Sequence, residues 1–382
     1  MSNFRHIHVE GYRRLSSVQL TMRDLTVMIG ANGVGKTSFL DVFSLLAASA
    51  KGQLLEKLGG SLESILTRKK KTDNFAVHLE MSVPGHSPLK YDLKLVPVRG
   101  SSYEISLERL TQHNDLEAPQ PQRYIDSHRQ NIKYFNIQTG FLEAPDWEHN
   151  FFETSLSQVP KMYQQSETLR RQLASCTFYG ALDVSLRAPI RQPQDMRPAK
   201  LPGANGEDLV SCLYDLRETD SDRFEIVGDT LAAAFPDFEK LNFPPVAAGK
   251  LSMTWKDKNF SKPIYVHELS EGTLRFLWLV TLLQSRELTA LTLIDEPEVS
   301  LHPELLRLLA DLMREASKRT QLIVATHSDK LIRFLEPHEV LVCDAEDGLM
   351  TATWADNLDL EKWLGEYSLD EVWAMNLIGG RP

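Results

Sequence analysis

Hydrophobic residues alternate with polar ones along the first third of the chain, and this period of two is typical of β-strands with one buried face. Short alternating runs lie around residues 7–9 and 18–22, and a longer series extends over residues 75–110. The longer series predicts an antiparallel meander that buries one of its faces. Residues 111–150 are mixed and polar, and they predict no definite element.

A second pattern combines continuous apolar runs with helical spacing. The run at 25–29 predicts a buried strand, and apolar residues over 39–50 follow at the spacing of an amphipathic helix. The C-terminal part repeats this order, with a strand at 291–294, a helix opened by Pro303, and strands at 322–325 and 340–343. Strands that alternate with helices predict a parallel sheet.

Residues 160–240 are predicted to be mostly helical, because apolar side chains recur there at helical spacing. Two such faces lie within residues 209–216 and 224–234. A loop at roughly 188–206 contains four prolines and several basic residues. A loop of that length inside a compact domain is usually functional or mobile.

The composition excludes several classes of protein. The 382 residues include 42 basic and 52 acidic ones, so the formal net charge is −10 at pH 7. This balance argues against a surface coated with nucleic acid, although it permits one local basic patch. There is neither an apolar stretch of about 18 residues nor the apolar core of a signal peptide. The widely spaced Cys176, Cys212 and Cys343 form neither a disulfide framework nor a zinc site. We therefore expect a soluble, cytoplasmic protein that does not engage a membrane.

The segment between the strand at 25–29 and the following helix fits the phosphate-loop pattern GxxxxGK[ST]. Glycines let main-chain N–H groups curl around phosphates, and the helix presents its positive N-terminal end to them. Lys36 is expected to reach the β- and γ-phosphates, and the Thr37 hydroxyl to bind Mg²⁺. The predicted nucleotide-binding residues here are Gly30, Ala31, Asn32, Gly33, Val34, Gly35, Lys36, Thr37 and Ser38.

Two further segments complete the candidate site. The apolar strand at 291–294 ends in Asp295 and Glu296, which alone would be an ordinary acidic turn. Beside a phosphate loop, we expect Asp295 to hold Mg²⁺ and Glu296 to polarise the attacking water. Ser270 is a good helix N-cap, and Gly272 permits a close approach to the main chain.

Taken together, the motifs GYRRL, GANGVGKTS, LSEGTLRFL, LIDEPEVSLHP, ATHS and the GGRP tail resemble an ABC-class ATPase head of the RecF/SMC-like kind, among the prokaryotic AAA-type ATP-binding proteins. The resemblance covers nearly the whole chain. It implies that Ser270, Glu271 and Gly272 contact the γ-phosphate of ATP bound to a second subunit. It also implies that residues 300–302 form a D-loop at the dimer interface and that His327 is a catalytic switch histidine.

Two positions match the family more weakly. Gln138 follows a plausible strand and is the candidate for the glutamine that senses Mg²⁺. Arg13, in GYRRL, resembles a position that lies near the nucleotide in such heads.

The resemblance implies an α/β P-loop NTPase fold, an ABC-type ATPase head with two lobes. Lobe I (1–150) would hold the phosphate loop and the meander, and lobe II (241–382) the signature helix, the acidic pair and His327. Lys36 and Gly272 lie 236 positions apart without heptads or a CxxC hook, so the intervening insert (151–240) should be compact and helical. Two heads would sandwich two ATP molecules as a homodimer, and assembly into a higher oligomer stays open.

The role of such a head has two main candidates. Only 55 residues follow His327, too few for the nuclease domain of overcoming-lysogenisation-type relatives. This favours the ATPase component of a bacterial defence system with a separately encoded effector protein. The alternative is a RecF-like ATPase of DNA repair or genome maintenance that binds DNA, for which basic residues are candidates at 68–71 and at Arg187, Arg191, Arg197 and Lys200. A degenerate nucleotide-binding scaffold is disfavoured because Lys36, Asp295, Glu296 and His327 are all present.

Overall fold

The computed structural model describes residues 3–59, 61–68, 73–98, 101–113 and 120–380. The strands in this part of the chain are β1 Phe4–Tyr12, β2 Leu15–Thr21, β3 Leu25–Ile29, β4 Phe75–Val83, β5 His86–Val98, β6 Ser101–Gln112, β7 Gln122–Ser127, β8 Tyr134–Asn136, β9 Phe141–Glu143, β10 Thr177–Tyr179, β11 Gln194–Asp195, β12 Phe238–Asn242, β13 Pro245–Val246, β14 Lys250–Leu251, β15 Thr254–Asp257, β16 Ile264–Tyr265, β17 Leu291–Asp295, β18 Gln321–Ala325, β19 Val340–Glu346 and β20 Leu349–Trp354. The α-helices are α1 Lys36–Ala50, α2 Leu54–Leu58, α3 Ser155–Gln158, α4 Gln164–Ala174, α5 Leu209–Thr219, α6 Ser221–Ala234, α7 Glu271–Gln284, α8 Leu305–Ser317, α9 Asp329–Ile332, α10 Glu361–Leu364 and α11 Leu369–Ala374.

An eight-stranded antiparallel sheet forms one layer, with the strand order β2-β1-β4-β5-β6-β7-β8-β9. Its central strands alternate between buried and partly exposed residues, as β4 does from Phe75 to Ser82. The buried face packs against α1, whose Phe39 and Phe43 are almost fully buried. The meander predicted for residues 75–110 is therefore confirmed.

A six-stranded sheet with the order β10-β17-β18-β3-β19-β20 forms the second layer. Its strands run parallel except for β20, which is antiparallel to β19. Every residue of β3 and β18 is buried, because both faces of this sheet are covered. Val27 and Val324 face the cluster containing α7 and α8, whereas Met28 and Ile323 face α1 and the antiparallel sheet. This confirms the predicted α/β fold with a parallel sheet.

Two segments differ from the sequence-based expectation. Residues 111–150, for which no element was predicted, include β7, β8 and β9 at the edge of the large sheet. Residues 160–240 contain helices, as predicted, but also β10, which pairs with β17 as an edge strand of the parallel sheet. The sequence indicates β8 only as a plausible strand before Gln138, and it does not predict β10, because three residues are too few to show a clear period.

The three segments expected from the sequence are interleaved in the fold. Strand β3 lies between β18 and β19, and β10 from the expected insert joins the same sheet. The boundaries at 150 and 240 stay predictions, but they do not separate the sheets. The longest helix in the described ranges is α1, with 15 residues. Within those ranges, none of the helices has the length and apolar character needed to cross a membrane.

Candidate functional site

The site lies where three parallel strands end at one edge of the sheet. In the ladder, Met28 of β3 pairs with Ala325 of β18, which in turn pairs with Asp295 of β17. The phosphate loop follows β3, the acidic pair begins at Asp295, and His327 follows β18. Segments that are far apart in sequence therefore meet because their strands share one direction.

The phosphate loop needs glycine at its two ends. Gly30 has φ +150°, and a Cβ there would lie 2.2 Å from the carbonyl oxygen of Cys343 on β19. Gly35 has φ +128°, and a Cβ there would lie 3.1 Å from the Met350 sulfur. The loop can thus follow this path only without side chains at either position.

The N-terminus of α1 is free to receive an anion. No side chain accepts a hydrogen bond at its N-cap, Gly35, and the first turn carries no acidic residue. Lys36 is buried, and its ammonium donates hydrogen bonds to the carbonyl oxygens of Gly30 and, at 3.2 Å, Ala31. Burial lowers the pKa of Lys36, and nearby carboxylates oppose that shift. A charged group that is this poorly hydrated is well placed to bind phosphate.

Thr37 and Asp295 bring together the two predicted magnesium ligands. The Thr37 hydroxyl donates to Asp295 Oδ2 at 3.1 Å. Burial raises the pKa of Asp295, while the hydrogen bond from Thr37 opposes that shift. A hydroxyl and a carboxylate are hard oxygen ligands of the kind that Mg²⁺ prefers, so these residues fit that ion.

Glu296 and His327 form the second predicted pair of the site. His327 Nδ1 lies 2.9 Å from Glu296 Oε1, and both side chains are more than 40 % exposed (42 % and 43 %). Glu296 has φ +53°, a left-handed conformation that costs a residue with a Cβ about 1–3 kcal/mol. Its main-chain N–H is held by the carbonyl oxygen of Ala325 at 2.8 Å. The fold thus maintains a strained main chain at Glu296, the predicted catalytic residue.

The signature segment, residues 269–273, opens helix α7. Ser270 caps the helix by accepting a hydrogen bond from the Thr273 N–H at 3.2 Å. Glu271 accepts one from the Ser300 hydroxyl at 2.9 Å. A Cβ on Gly272 would lie only 2.7 Å from the carbonyl oxygen of Ser300. Gly272 was predicted to let another molecule approach the main chain. The structure gives a second reason for a glycine here, because residue 300 of the predicted D-loop packs directly against it.

The arginine next to the phosphate loop is Arg14 rather than Arg13. Arg13 Nη1 donates to Asp41 Oδ2 on α1 at 2.5 Å. Arg14 Nη2, in contrast, lies 4.0 Å from the position that a Cβ on Gly33 would take. Both residues occupy the β1–β2 turn, and φ +47° at Arg13 reverses the chain there. The sequence offered two adjacent arginines, and only the turn geometry decides which one points at the loop.

Gln138 does not lie with the other predicted magnesium ligands. It is exposed in the turn between β8 and β9, where its main-chain N–H donates to Asn136 Oδ1 at 2.9 Å. These strands form the far edge of the antiparallel sheet from β1 and β2. The placement of Gln138 therefore gives no support to a role in sensing Mg²⁺, and that role stays a prediction.

The basic residues of the loop at 187–200 are mostly engaged within the chain. Arg191 is buried and donates to the carbonyl oxygens of His267 and Leu269, at 2.9 and 2.8 Å, just before the signature segment. Arg197 pairs with Asp208, and Lys200 lies 3.6 Å from both Asp215 and Glu287. Arg187 is exposed, as is Arg68, whereas residues 69–71 lie outside the described ranges.

The C-terminal segment packs against the phosphate loop. A Cβ on Gly380 would lie 3.4 Å from Gly30 Cα and 3.0 Å from the Cys343 carbonyl oxygen. The Gly380 carbonyl accepts a hydrogen bond from the buried indole of Trp373 at 2.6 Å. The main-chain N–H of Gly380 donates to Asp344. The tail motif singled out in the sequence thus borders the site through its glycines; Arg381 and Pro382 lie outside the described ranges.

Comparison with known families gives one match. The family described as "AAA domain, putative AbiEii toxin, Type IV TA system" matches residues 25–333, from β3 to the segment that follows His327. This range includes the phosphate loop, the signature segment and the acidic pair. Comparison with curated protein sequences gives no match.

Solved structures with a similar fold include several SMC heads. An SMC head bound to the C-winged helix domain of ScpA has a TM-score of 0.58 and 14 % identity, over 92 % of this chain and 97 % of that one. A Pyrococcus furiosus head with an extended coiled coil, bound to the C-terminal domain of ScpA, has a TM-score of 0.53 and 13 % identity, covering 96 % and 99 %. A Pyrococcus yayanosii head with a coiled coil and joint has a TM-score of 0.51 and 11 % identity, also covering 96 % and 99 %. At such identities the likeness concerns the fold, an ABC-type P-loop ATPase head.

Proposed function

This chain belongs to the AAA-domain family that matches residues 25–333, and from that membership we propose that it binds and hydrolyses ATP. The observation that carries the proposal is the convergence of Lys36, Thr37, Asp295, Glu296 and His327 at one edge of the parallel sheet. These residue types suit phosphoryl transfer to water, and they come from three places in the fold: the start of α1, the end of β17 with the residue after it, and the loop after β18.

The phosphate loop would bind the β- and γ-phosphates of ATP. The free N–H groups at the start of α1 would donate to phosphate oxygens, and Lys36 would exchange its carbonyl partners for them. Thr37 and Asp295 would hold Mg²⁺, which neutralises the charge that develops on the transferred phosphoryl group. Arg14 is close enough to the loop to contribute a further positive charge.

Glu296 would orient and polarise the attacking water. Its carboxylate is exposed and lies within hydrogen-bonding distance of His327. The two side chains together would therefore position the water and the γ-phosphate. Glu296 directly follows the end of β17, and its main chain is held in the left-handed conformation by the hydrogen bond to Ala325.

Replacement of Glu296 by glutamine tests this activity. The amide keeps the shape of the side chain but cannot accept a proton, so we expect phosphate release to fall by at least about 100-fold. Binding of a fluorescent ATP analogue should stay within about twofold of the unaltered protein. The matched control is Glu304→Gln, which alters an exposed carboxylate (87 %) near the same loop and should leave both quantities unchanged. Retained hydrolysis in the Glu296→Gln protein would refute the assignment.

Dimerisation is the second part of the proposal. Ser270 and Gly272 open α7 beside the chain's own D-loop, and the hydrogen bond between Glu271 and Ser300 joins these two segments. We propose that this joined surface meets the ATP of a second copy, so that two heads enclose two nucleotides. Hydrolysis would then open the dimer.

We further propose that the head regulates a separately encoded effector protein in a bacterial defence system. The description of the family, "AAA domain, putative AbiEii toxin, Type IV TA system", supports a role in a toxin–antitoxin system; the separate effector is the further part of this proposal. The SMC heads with the same fold are described as bound to ScpA domains, so a head of this shape is compatible with a protein partner. The alternative, direct binding of DNA in the manner of RecF, loses support from the loop at 187–200, because Arg191, Arg197 and Lys200 are engaged internally.

Affinity capture distinguishes the two roles. The Glu296→Gln protein with Mg-ATP would be recovered from host extract with and without nuclease treatment. A protein partner that survives nuclease supports the effector role, whereas material that disappears with nuclease supports the DNA role. Substituting residues 69–71 by glutamine would then weaken binding only in the second case, and more strongly at low salt.

A further inference from the structure

A buried hydrogen-bonded bridge connects the two loops that carry Glu296 and His327. The Thr326 side chain is fully buried at the end of β18. Its hydroxyl donates to Glu298 Oε1 at 2.5 Å and accepts from the Ser328 N–H at 3.0 Å. The main-chain N–H of Thr326 donates to the Met28 carbonyl oxygen at 3.0 Å. One hydroxyl therefore joins the acidic loop that follows β17 to the loop that holds His327.

The two loops make a second contact through their exposed side chains. His327 Nδ1 lies 2.9 Å from Glu296 Oε1. Glu296 therefore contacts His327, and Glu298 contacts the neighbouring Thr326. These contacts restrict the main chain at His327. The residue before it, Thr326, is bonded to Glu298, and the residue after it, Ser328, is bonded to the Thr326 hydroxyl.

Burying the Glu298 carboxylate is costly, and the structure shows what opposes that cost. Burial raises the pKa of Glu298, while the hydrogen bond from Thr326 lowers it. The Glu298 carbonyl oxygen also accepts the Leu301 N–H at 3.0 Å, which fixes the turn leading into the D-loop. Burying a polar pair between two loops costs stability. One reason to retain such a pair is that it specifies a geometry.

We propose that Glu298 and Thr326 are positioning residues, which set the His327 ring against Glu296 for ATP hydrolysis. The inference rests on the proposed hydrolysis, and it concerns residues that touch neither the nucleotide nor the water. They act by fixing the relative placement of two groups, where an error of about 1 Å can cost two orders of magnitude in rate.

Thr326→Val tests the bridge, because valine keeps the shape of threonine and removes its hydroxyl. We expect kcat to fall about 10- to 100-fold while KM for ATP stays within about twofold. Thr326→Ser keeps the hydroxyl and should recover at least about half of the original kcat. The matched control is Thr292→Val on β17, which removes a buried hydroxyl that lies 3.1 Å from the Thr320 hydroxyl and should leave kcat unchanged.

Variants of Glu298 test the other end of the bridge. Glu298→Ala should lower kcat to the same extent as Thr326→Val, and the double variant should be no slower than either single one. Glu298→Gln, which keeps an acceptor oxygen, should be intermediate and guards against misfolding of the alanine variant. Unchanged kcat in Thr326→Val would overturn the inference, as would an equal loss of kcat and ATP affinity that serine does not restore. If the unaltered protein itself released no phosphate from ATP, the proposed hydrolysis would fail, and this outcome is distinguishable from failure of the bridge.

Discussion

At the scale of single residues, the main chain of the phosphate loop is held in place by its neighbours. Gly30 lies against the Cys343 carbonyl on one side, and Gly380 lies against Gly30 on the other. The loop is thus enclosed between β19 and the C-terminal segment. Its path depends on the absence of side chains at Gly30 and Gly380.

Gly30→Ala should therefore weaken nucleotide binding. The added Cβ would overlap the Cys343 carbonyl at 2.2 Å, so the loop must move away from β19. We expect the affinity for a fluorescent ATP analogue to fall at least about tenfold. The control is Gly140→Ala, at φ +76° with no described atom within 4 Å of the new Cβ. It should lower the free energy of unfolding by about 1–2 kcal/mol and leave ATP affinity unchanged. Normal ATP binding by Gly30→Ala would contradict this view of the loop.

Residue types at fixed spacing were sufficient to predict the phosphate loop, the acidic pair and the cap at Ser270. Each of these motifs is local, so its chemistry can be read from consecutive residues. The placement of Arg14, Gln138 and Arg191 could not be predicted. Which of two adjacent arginines faces a loop, and which basic residue is buried, depends on contacts between segments far apart in sequence.

At the scale of elements, the exposed face of the antiparallel sheet carries a row of paired charges. His78 on β4 lies opposite His8 on β1 and Asp92 on β5. Its Nδ1 is 2.7 Å from Asp92 Oδ1, and its Nε2 is 3.5 Å from Glu80 Oε1. The hydrogen bond with Asp92 is the main cause that raises the pKa of His78 above its usual value. These cross-strand pairs stabilise the sheet in a manner that depends on pH.

The sign of that dependence follows from the raised pKa of His78. The protonated histidine is favoured in the folded protein, so its contribution is complete below about pH 6.5, its unfolded pKa, and is lost as the pH rises through the folded value. We expect His78→Gln to reduce the fall in unfolding free energy between about pH 6 and about pH 8.5, measured by urea denaturation. The control His86→Gln, at an exposed histidine on β5, should follow the unaltered protein. Identical slopes for all three proteins would show that the pair with Asp92 contributes nothing.

Elements with a clear period or a continuous apolar run were predictable, and elements without one were not. The strands β3 and β4 and the helix α1 have a clear period or a continuous apolar run, and the structure confirms them. The strands β8 and β10 have three residues each; β10 pairs along the edge of β17, and β8 pairs mainly with β9. Tertiary contact, rather than local preference, specifies such strands.

At the scale of the whole molecule, the parallel sheet unites distant parts of the chain around the site. Strand β3 from the N-terminal region lies between β18 and β19, and the C-terminal Gly380 reaches the phosphate loop. The signature segment is joined to the D-loop by Glu271 and Ser300, so a movement of one loop must affect the other. This arrangement supports the central claim that ATP closes two heads onto each other.

Sedimentation velocity of the Glu296→Gln protein, with and without Mg-ATP, tests that claim most directly. We predict a monomer without nucleotide and a dimer with it, because ATP that cannot be hydrolysed should hold two signature segments. Adding Ser270→Asp provides the control, since aspartate still caps α7 but places a negative charge where the partner's γ-phosphate would bind. The double variant should bind ATP, keep its unfolding free energy within about 1 kcal/mol and remain monomeric. A Glu296→Gln protein that binds ATP and stays monomeric would contradict the account.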